Sequence, residues 1–468
     1  MGLYLEQLNT LWGEPVFRGK PDLSIPIGPV CTDSRMIRKG SFYFPLIGRR
    51  FDGHKFLSEV IEKGAQAAVI SRDFKNEVPD EFLHWVVDDT LLAYQQLALL
   101  HRSDLAIPVI AVTGSVGKTT TKELLKGVLE PLGSVIATYG NNNNDVGVPL
   151  TLLQASDKDS AIILEMGMRG FGEIKRLSFC SNPDIAVITN IGNSHIGRLG
   201  SRRNIALAKC EITSYLNPSG VVVIPSNDEL LEKVLQTVWK GKVIRVDTSF
   251  QIPSTNGSSN NGPPFRDSIV DLVGCFDVKK NLIIVNDICF QLPFEGKHNA
   301  MNFMLALAVA KELGVDLTKI TNLNIQALQG RNSSFKASGI TILDQTYNSS
   351  PESVKASLEL LVNQEGRHFA VLGLMLELGH HSSLLHTKIG DLVKELSLDG
   401  LIVVGKGSDA KAMTLAAKDL PFVQVVDTAE EAFNPLISWI KPGDIVLLKG
   451  SHSIGLERLF TLLKNHLE

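Results

Sequence analysis

Between Ile107 and Gly133 the chain passes from an apolar, β-rich stretch, IPVIAVTG, through a glycine turn into the helical stretch TTTKELLKGVLEPLG. No other feature limits the fold as tightly. A buried strand that delivers a glycine turn to the start of a helix belongs to a parallel α/β sheet. The turn, Val112 to Thr120, reads G-x-x-G-K-T-T. Glycines at Gly114 and Gly117 let backbone N–H groups, those of Ser115 and Val116 among them, turn inward onto phosphate oxygens. The helix that follows adds the positive end of its dipole at Thr119 and Thr120. Lys118 reaches the β- and γ-phosphates, and the Thr119 hydroxyl can hold Mg²⁺. The strict pattern places a glycine where Val112 stands, so this is a variant loop. Its strand-before, helix-after context predicts an ATP site; a chance glycine turn is the alternative.

Further buried-type strands are expected at SAIILEMG, DIAVITNIG and GVVVIP, with helical sequence between them. Glu165 and His195 end two of these strands, where open α/β sheets bind ligands. Each alone reads as a structural polar group. Beside the loop, they read as candidates for a metal shell, with His195 an unusual ligand for Mg²⁺, which prefers oxygen. Asn141, Asn143 and Asn144 belong to a polar run that could equally be a solvated turn. Lys209 sits on a helical stretch, where a lone lysine is ordinarily a surface charge. His298 and Asn299 open another helix, as an N-cap would. Asp344 ends the strand ITILD, where a carboxylate suits a ribose, a metal or a helix cap.

At 468 residues the chain has room for about three domains. Residues 1–103 read as a small α/β unit with short apolar runs, among them Ala67 to Ile70 and Trp85 to Val87. Residues 104–327 hold the loop and its parallel sheet, closed by the helical NAMNFMLALAVAKELG. Residues 328–468 restart the alternation with ITILD, FAVLGLM, LIVVG, FVQVV and DIVLLKG, a second doubly wound sheet of Rossmann type. The polar segment 251–267 is expected to be an exposed loop. A net charge of −4 and no basic, aromatic-interleaved stripe argue against a nucleic-acid partner. The five cysteines, an odd number with no C-x-x-C, predict buried thiols in a reducing compartment. No signal peptide and no membrane-length apolar run are visible, so a cytoplasmic protein is expected.

The motifs TGSVGKTTTKE, EMGMRGFGEI, NIGNSHIGRLGS, ALAKCEI, GKHNAMN, LQGR and DQTYNSSPES occur in an order that resembles the Mur ligases. These are the ATP-dependent amide-forming enzymes of peptidoglycan synthesis. The N-terminal TDSR, FYFPLIG and FDGH look like the uridine-nucleotide domain of the family's later-acting members. Within the family, GNNNNDVGVPLTLL, TYNSSP, LGLMLELG with His386 downstream, and LLKGS favour addition of D-Ala-D-Ala to UDP-N-acetylmuramoyl-tripeptide. The alternative is a member that adds diaminopimelate or lysine to the dipeptide precursor. A folylpolyglutamate-type synthetase, a nucleic-acid-stimulated ATPase and an ATP-gated binding protein are more distant alternatives.

The resemblance implies that ATP phosphorylates the tripeptide carboxylate and that the dipeptide amine displaces phosphate. It implies two Mg²⁺ ions, held by Thr119, Glu165, His195 and a carbamylated Lys209. Asn299 and Asn302 would lie on the adenine side, with Arg331 and Asp344 reaching phosphates and ribose from the C-terminal domain. Thr32, Ser34, Arg35, Asn141, Asn143, Asn144, Tyr347 and Asn348 would bind substrate, in a monomer. Five positions depart from the family pattern. Ser349-Ser350 replace Ala-Asn before Pro351, Leu374 replaces an aspartate, His452 an arginine, and Asp145 a glutamate.

Overall fold

Hydrogen bonding sorts the strands into three main sheets that follow one another along the chain. The computed structural model describes residues 2–48, 50–249, 270–320, 323, 325, 330–331 and 333–468. The polar segment 251–267 and the boundary expected at 327/328 lie outside these residues.

The first sheet orders Val30–Cys31, Phe42–Tyr43, Ala67–Ser71 and His84–Val87, all parallel. Its core is aromatic: Phe42 lies 5.3 Å from Phe44 and 5.8 Å from Trp85, ring centre to ring centre. Asp89 caps the helix Thr90–Asp104 by accepting from the amides of Leu91 and Leu92. That helix serves two cores. Ala93, Tyr94 and Leu97 pack into the first unit, while Ala98 packs into the next. At its last turn Arg102 pairs with Asp184 of the central unit at 2.7 Å.

The central sheet has nine strands in the order Ile288–Gln291, Leu282–Val285, Leu272–Asp277, Lys242–Ser249, Val221–Pro225, Ile185–Ile188, Val109–Thr113, Ala161–Glu165, Val135–Ala137. The strand feeding the phosphate loop, Val109–Thr113, is buried along its whole length between two parallel neighbours. Each such Val or Ile contributes about 1.5–3 kcal/mol of burial, which explains why both faces are apolar. Helices Lys118–Leu129 and Lys297–Glu312 cover one face, and helices that include Gly147–Gln154, Glu173–Ser181 and Arg202–Cys210 cover the other. The sheet is not wholly parallel: Leu272–Asp277, Leu282–Val285 and Ile288–Gln291 form an antiparallel meander. Tight turns at Asn281 and at Asn286–Asp287, all at positive φ, make that reversal.

The third sheet orders Ser333–Ala337, Ile340–Gln345, Ile445–Lys449, His368–Gly373, Gly400–Val404, Phe422–Val426. Its first strand is an antiparallel edge, and the other five are parallel. All five expected strands are present. Cys180 and Cys210 are buried as expected, Cys31 and Cys275 are half-buried, and Cys289 is exposed on an edge strand. Among the described residues, no helix is long and apolar enough to cross a membrane.

Candidate active site

The loop leaves Val109–Thr113 through two glycines where a side chain would be strained. Gly114 has φ +152°, and a Cβ there would lie 1.8 Å from the Thr189 hydroxyl. Gly117 has φ +87°, and its Cβ would meet the Asn302 side chain at 2.7 Å. Asn190 holds the turn: its carbonyl accepts from Ser115 N–H at 3.1 Å and its side-chain oxygen from Val116 N–H at 3.1 Å. Lys118 folds back to donate to the Gly114 carbonyl at 2.8 Å. Asn190 lay inside a motif read for its histidine, and nothing in its spacing marked it as the loop's brace.

Glu165 ends the adjacent strand and is buried. Its Oε2 accepts from the Thr119 hydroxyl and its Oε1 from the Asn143 amide, both at 2.8 Å. The hydroxyl, the carboxylate and the polar run are thus one cluster. Asn144 instead accepts from the backbone N–H groups of Val146 and Gly147, closing the turn that leads into the helix Gly147–Gln154. Asp145 pairs with Arg176 at 2.9 Å.

His195 stands at φ +65° before the short helix Ile196–Leu199. Its Nδ1 is bonded to Glu377 of the third unit, which also pairs with Arg198 at 3.1 Å. The Glu377 carbonyl accepts from Gly197 N–H at 3.0 Å. A second bridge comes from Glu352, whose Oε1 accepts from the amide N–H of Asn193 at 2.7 Å. Sequence reasoning named neither glutamate, because their partners lie more than a hundred residues upstream.

A cavity of about 1550 Å³ joins the central and third units. It is lined by the loop, Asn141, Asn143, Asn144, Glu165, His195, Asn299, Asn302, Arg331, Tyr347 and Asn348. The Arg331 guanidinium stacks 3.8 Å from the centre of the Tyr347 ring. His452, at the family's arginine position, stacks on the same tyrosine at 5.7 Å. Ser350 caps the helix Pro351–Val362, so replacing the family's asparagine keeps a good N-cap. Leu374 turns inward and fills the space over Gly405. Asn299 is not the N-cap of its helix. Gly296 is, and Asn299 donates back to the Glu295 carbonyl at 2.7 Å.

Several expected site residues lie off the cavity wall. Thr32, Ser34 and Arg35 sit in the first unit, where Arg35 is exposed and pairs with Asp33. Asp344 is buried and accepts from Gly330 N–H and the Thr346 hydroxyl, shaping the approach to Arg331. Lys209 is no surface charge. It lies in the last turn of the helix Arg202–Cys210 with 2 % exposure, and burial together with the Lys118 charge pushes its pKa well down. Burial lowers the Lys118 pKa too; Glu165 opposes that shift and Arg331 adds to it. For His195 burial outweighs Glu377, and its pKa falls. An anionic group bound at the loop would offset the burial of Lys118 and favour its charged form. Among the described residues no three His, Cys, Asp or Glu side chains gather as a metal centre.

Two family descriptions match the chain: the Mur ligase middle domain over residues 112–310, and the Mur ligase glutamate ligase domain over 330–452. A UDP-N-acetylmuramoyl-tripeptide–D-alanyl-D-alanine ligase of Synechocystis is 37% identical over 92% of this chain and 91% of its own. The enzyme of that name from Bacillus subtilis is 33% identical over 92% of both. Crystal structure I of MurF from Acinetobacter baumannii superposes with a TM-score of 0.81 at 32% identity, covering 93% of each chain. MurF ligase from Thermotoga maritima in complex with ADP has a TM-score of 0.79 at 27% identity, over 94% of this chain and 98% of its own.

Proposed function

The chain belongs to the Mur ligase family, and from that membership we propose how its three units divide one ligation. The enzyme joins D-Ala-D-Ala to the terminal carboxylate of UDP-N-acetylmuramoyl-tripeptide, using ATP and yielding the pentapeptide precursor, ADP and phosphate. In the assignment we favour, residues 1–103 hold the UDP-sugar, 104–327 the ATP and 328–468 the dipeptide. We read the enzyme as a monomer. We place it in the cytoplasm, where ATP is supplied.

A carboxylate and an ammonium form a salt rather than an amide in water, so the carboxylate must first be activated. Its oxygen attacks the γ-phosphorus and ADP leaves, giving an acyl phosphate. The dipeptide's neutral amine then attacks the acyl carbon, loses its proton and expels phosphate. Phosphoryl transfer is chiefly positioning and charge neutralisation. Lys118 and the loop amides take the β- and γ-phosphates. Arg331, from the third unit, adds positive charge once the units meet. Asn299 and Asn302 border the adenine side, and Asp344 holds the turn that presents Arg331. Closure also excludes water, which would hydrolyse the acyl phosphate.

The donor set fits Mg²⁺: one hydroxyl and one carboxylate, Thr119 and Glu165, bonded to each other at the loop. Mg²⁺ takes few protein oxygens and completes its shell with phosphates and water, in keeping with the lack of a larger cluster among the described residues. Bound there, the ion supplies charge neutralisation for the transferred phosphoryl group. His195, with Nδ1 engaged by Glu377, has only Nε2 to offer. Lys209 fits carbamylation, since a buried amine with a lowered pKa is neutral and nucleophilic toward CO₂. The reaction forms an N–C bond, releases a proton and leaves a carboxylate able to hold a second Mg²⁺.

The observation that carries this reading is that Arg331 enters the cavity of Lys118, Thr119 and Glu165. The test is phosphate release from ATP with the UDP-tripeptide, comparing D-Ala-D-Ala with diaminopimelate, lysine and buffer. Release only with the dipeptide, with a pentapeptide by mass spectrometry, is expected. Turnover only with a single amino acid would replace the acceptor and keep the ATP site.

A further inference from the structure

Lys449 has no part in the chemistry above. It is the last residue of Ile445–Lys449, beside Ile340–Gln345 in the third sheet, and it lines the cavity with 5 % exposure. Its ammonium donates to the Asn348 carbonyl at 3.0 Å, and among the described residues no carboxylate pairs with it. Buried cations are ordinarily paired. The Arg331 charge adds repulsion, and with burial it draws the Lys449 pKa down to about 7. This wall therefore has a place for one anionic group.

Lys118, Arg331 and Lys449 line the same cavity, and the Arg331 charge opposes the charged form of both lysines. The phosphates already have Lys118, the loop amides and Arg331. An anion at Lys449 thus belongs to what the third unit binds. On the same wall Glu352 leaves its Oε2 without a partner. One positive and one negative group with free bonding capacity suit a zwitterionic peptide.

We infer that Lys449 binds the free C-terminal carboxylate of the dipeptide, with its amine end directed toward the activated carbonyl. The inference rests on the ligation reading above. It makes Lys449 a specificity-determining residue: the amine reacts, and the carboxylate is the ionic group that remains for recognition.

The experiment measures steady-state ligation of D-Ala-D-Ala and of its C-terminal amide by the wild-type enzyme and by Lys449→Met and Lys449→Arg. The wild type is expected to prefer the free acid by roughly 10- to 100-fold in kcat/KM, the scale of one charge-assisted hydrogen bond. Lys449→Met should raise the dipeptide KM by that factor and lose the preference, with KM for ATP and for the UDP-tripeptide unchanged. Lys449→Arg should retain the preference. A purely structural lysine would raise all three KM values together. Preference kept by Lys449→Met, or a rise confined to ATP, would overturn the assignment and the latter would give the lysine to phosphate. If Lys449→Met does not fold, shown by loss of the ADP-induced thermal shift, indifference of Lys449→Arg or the wild type to the amide refutes the inference. A wild type inactive with the dipeptide would instead refute the ligation reading on which it rests.

Discussion

Lys118 shows how far one side chain can be read from its surroundings. Its ammonium rests on the Gly114 carbonyl at 2.8 Å, bonded to the loop it serves rather than to the core. Lys118→Ala should therefore lower ligation by at least ~10²-fold while leaving the thermal midpoint nearly unchanged, as paired turnover and calorimetry would show. Ser349 is the opposite case. Its hydroxyl is buried without a partner, at a position where the family carries alanine. Ser349→Ala should raise stability by about 1 kcal/mol, and urea denaturation resolves a change of that size. Lys118 was legible because the loop is a local pattern. Lys209 was legible as a motif residue but not as a buried one, since its helix alone cannot say which face is covered.

At the scale of elements, short segments decide how units meet. Helix Ile196–Leu199 approaches the turn at Gly379 so closely that a Cβ on Gly197 would lie 2.5 Å from the Gly379 nitrogen. Gly197→Ala should separate the His195 turn from Glu377 and lower kcat several-fold or more with the fold intact. Turnover, with small-angle scattering for the separation, reads both effects. The helix Thr90–Asp104 makes the other seam. His101 near its end is buried, uses Nε2–H toward the Ala155 carbonyl, and leaves Nδ1 without a partner. Burial lowers its pKa below the ordinary 6.5. In acid the unfolded chain therefore takes up a proton that the folded one refuses, and stability falls as pH drops below about 6.5 toward the folded value. His101→Gln should flatten that slope in denaturation measured across the window. Element type was well announced by periodicity: each expected strand appears, because buried parallel strands are continuous apolar runs. The antiparallel meander of the central sheet was not, since its turns are set by single asparagine and aspartate conformations.

Over the whole molecule, catalysis depends on groups that the central and third units bring to one cavity. Metal should matter for turnover and not for folding, because Thr119 and Glu165 already bond to each other at 2.8 Å. Chelation should abolish ligation, restored by Mg²⁺, with no shift in the thermal midpoint; a large fall would reveal a structural ion. The amino-acid order by itself determined the phosphate loop, the run of strands and helices, and the succession of three α/β units. These arise from backbone sterics and from periodicities that act over a few residues. Tertiary structure alone decided that Glu377 meets His195 across 182 positions, that Glu352 meets Asn193 across 159, and that Lys449 and Arg331 share a wall. Such pairings follow from how the sheets dock, and no local pattern in either partner carries that information.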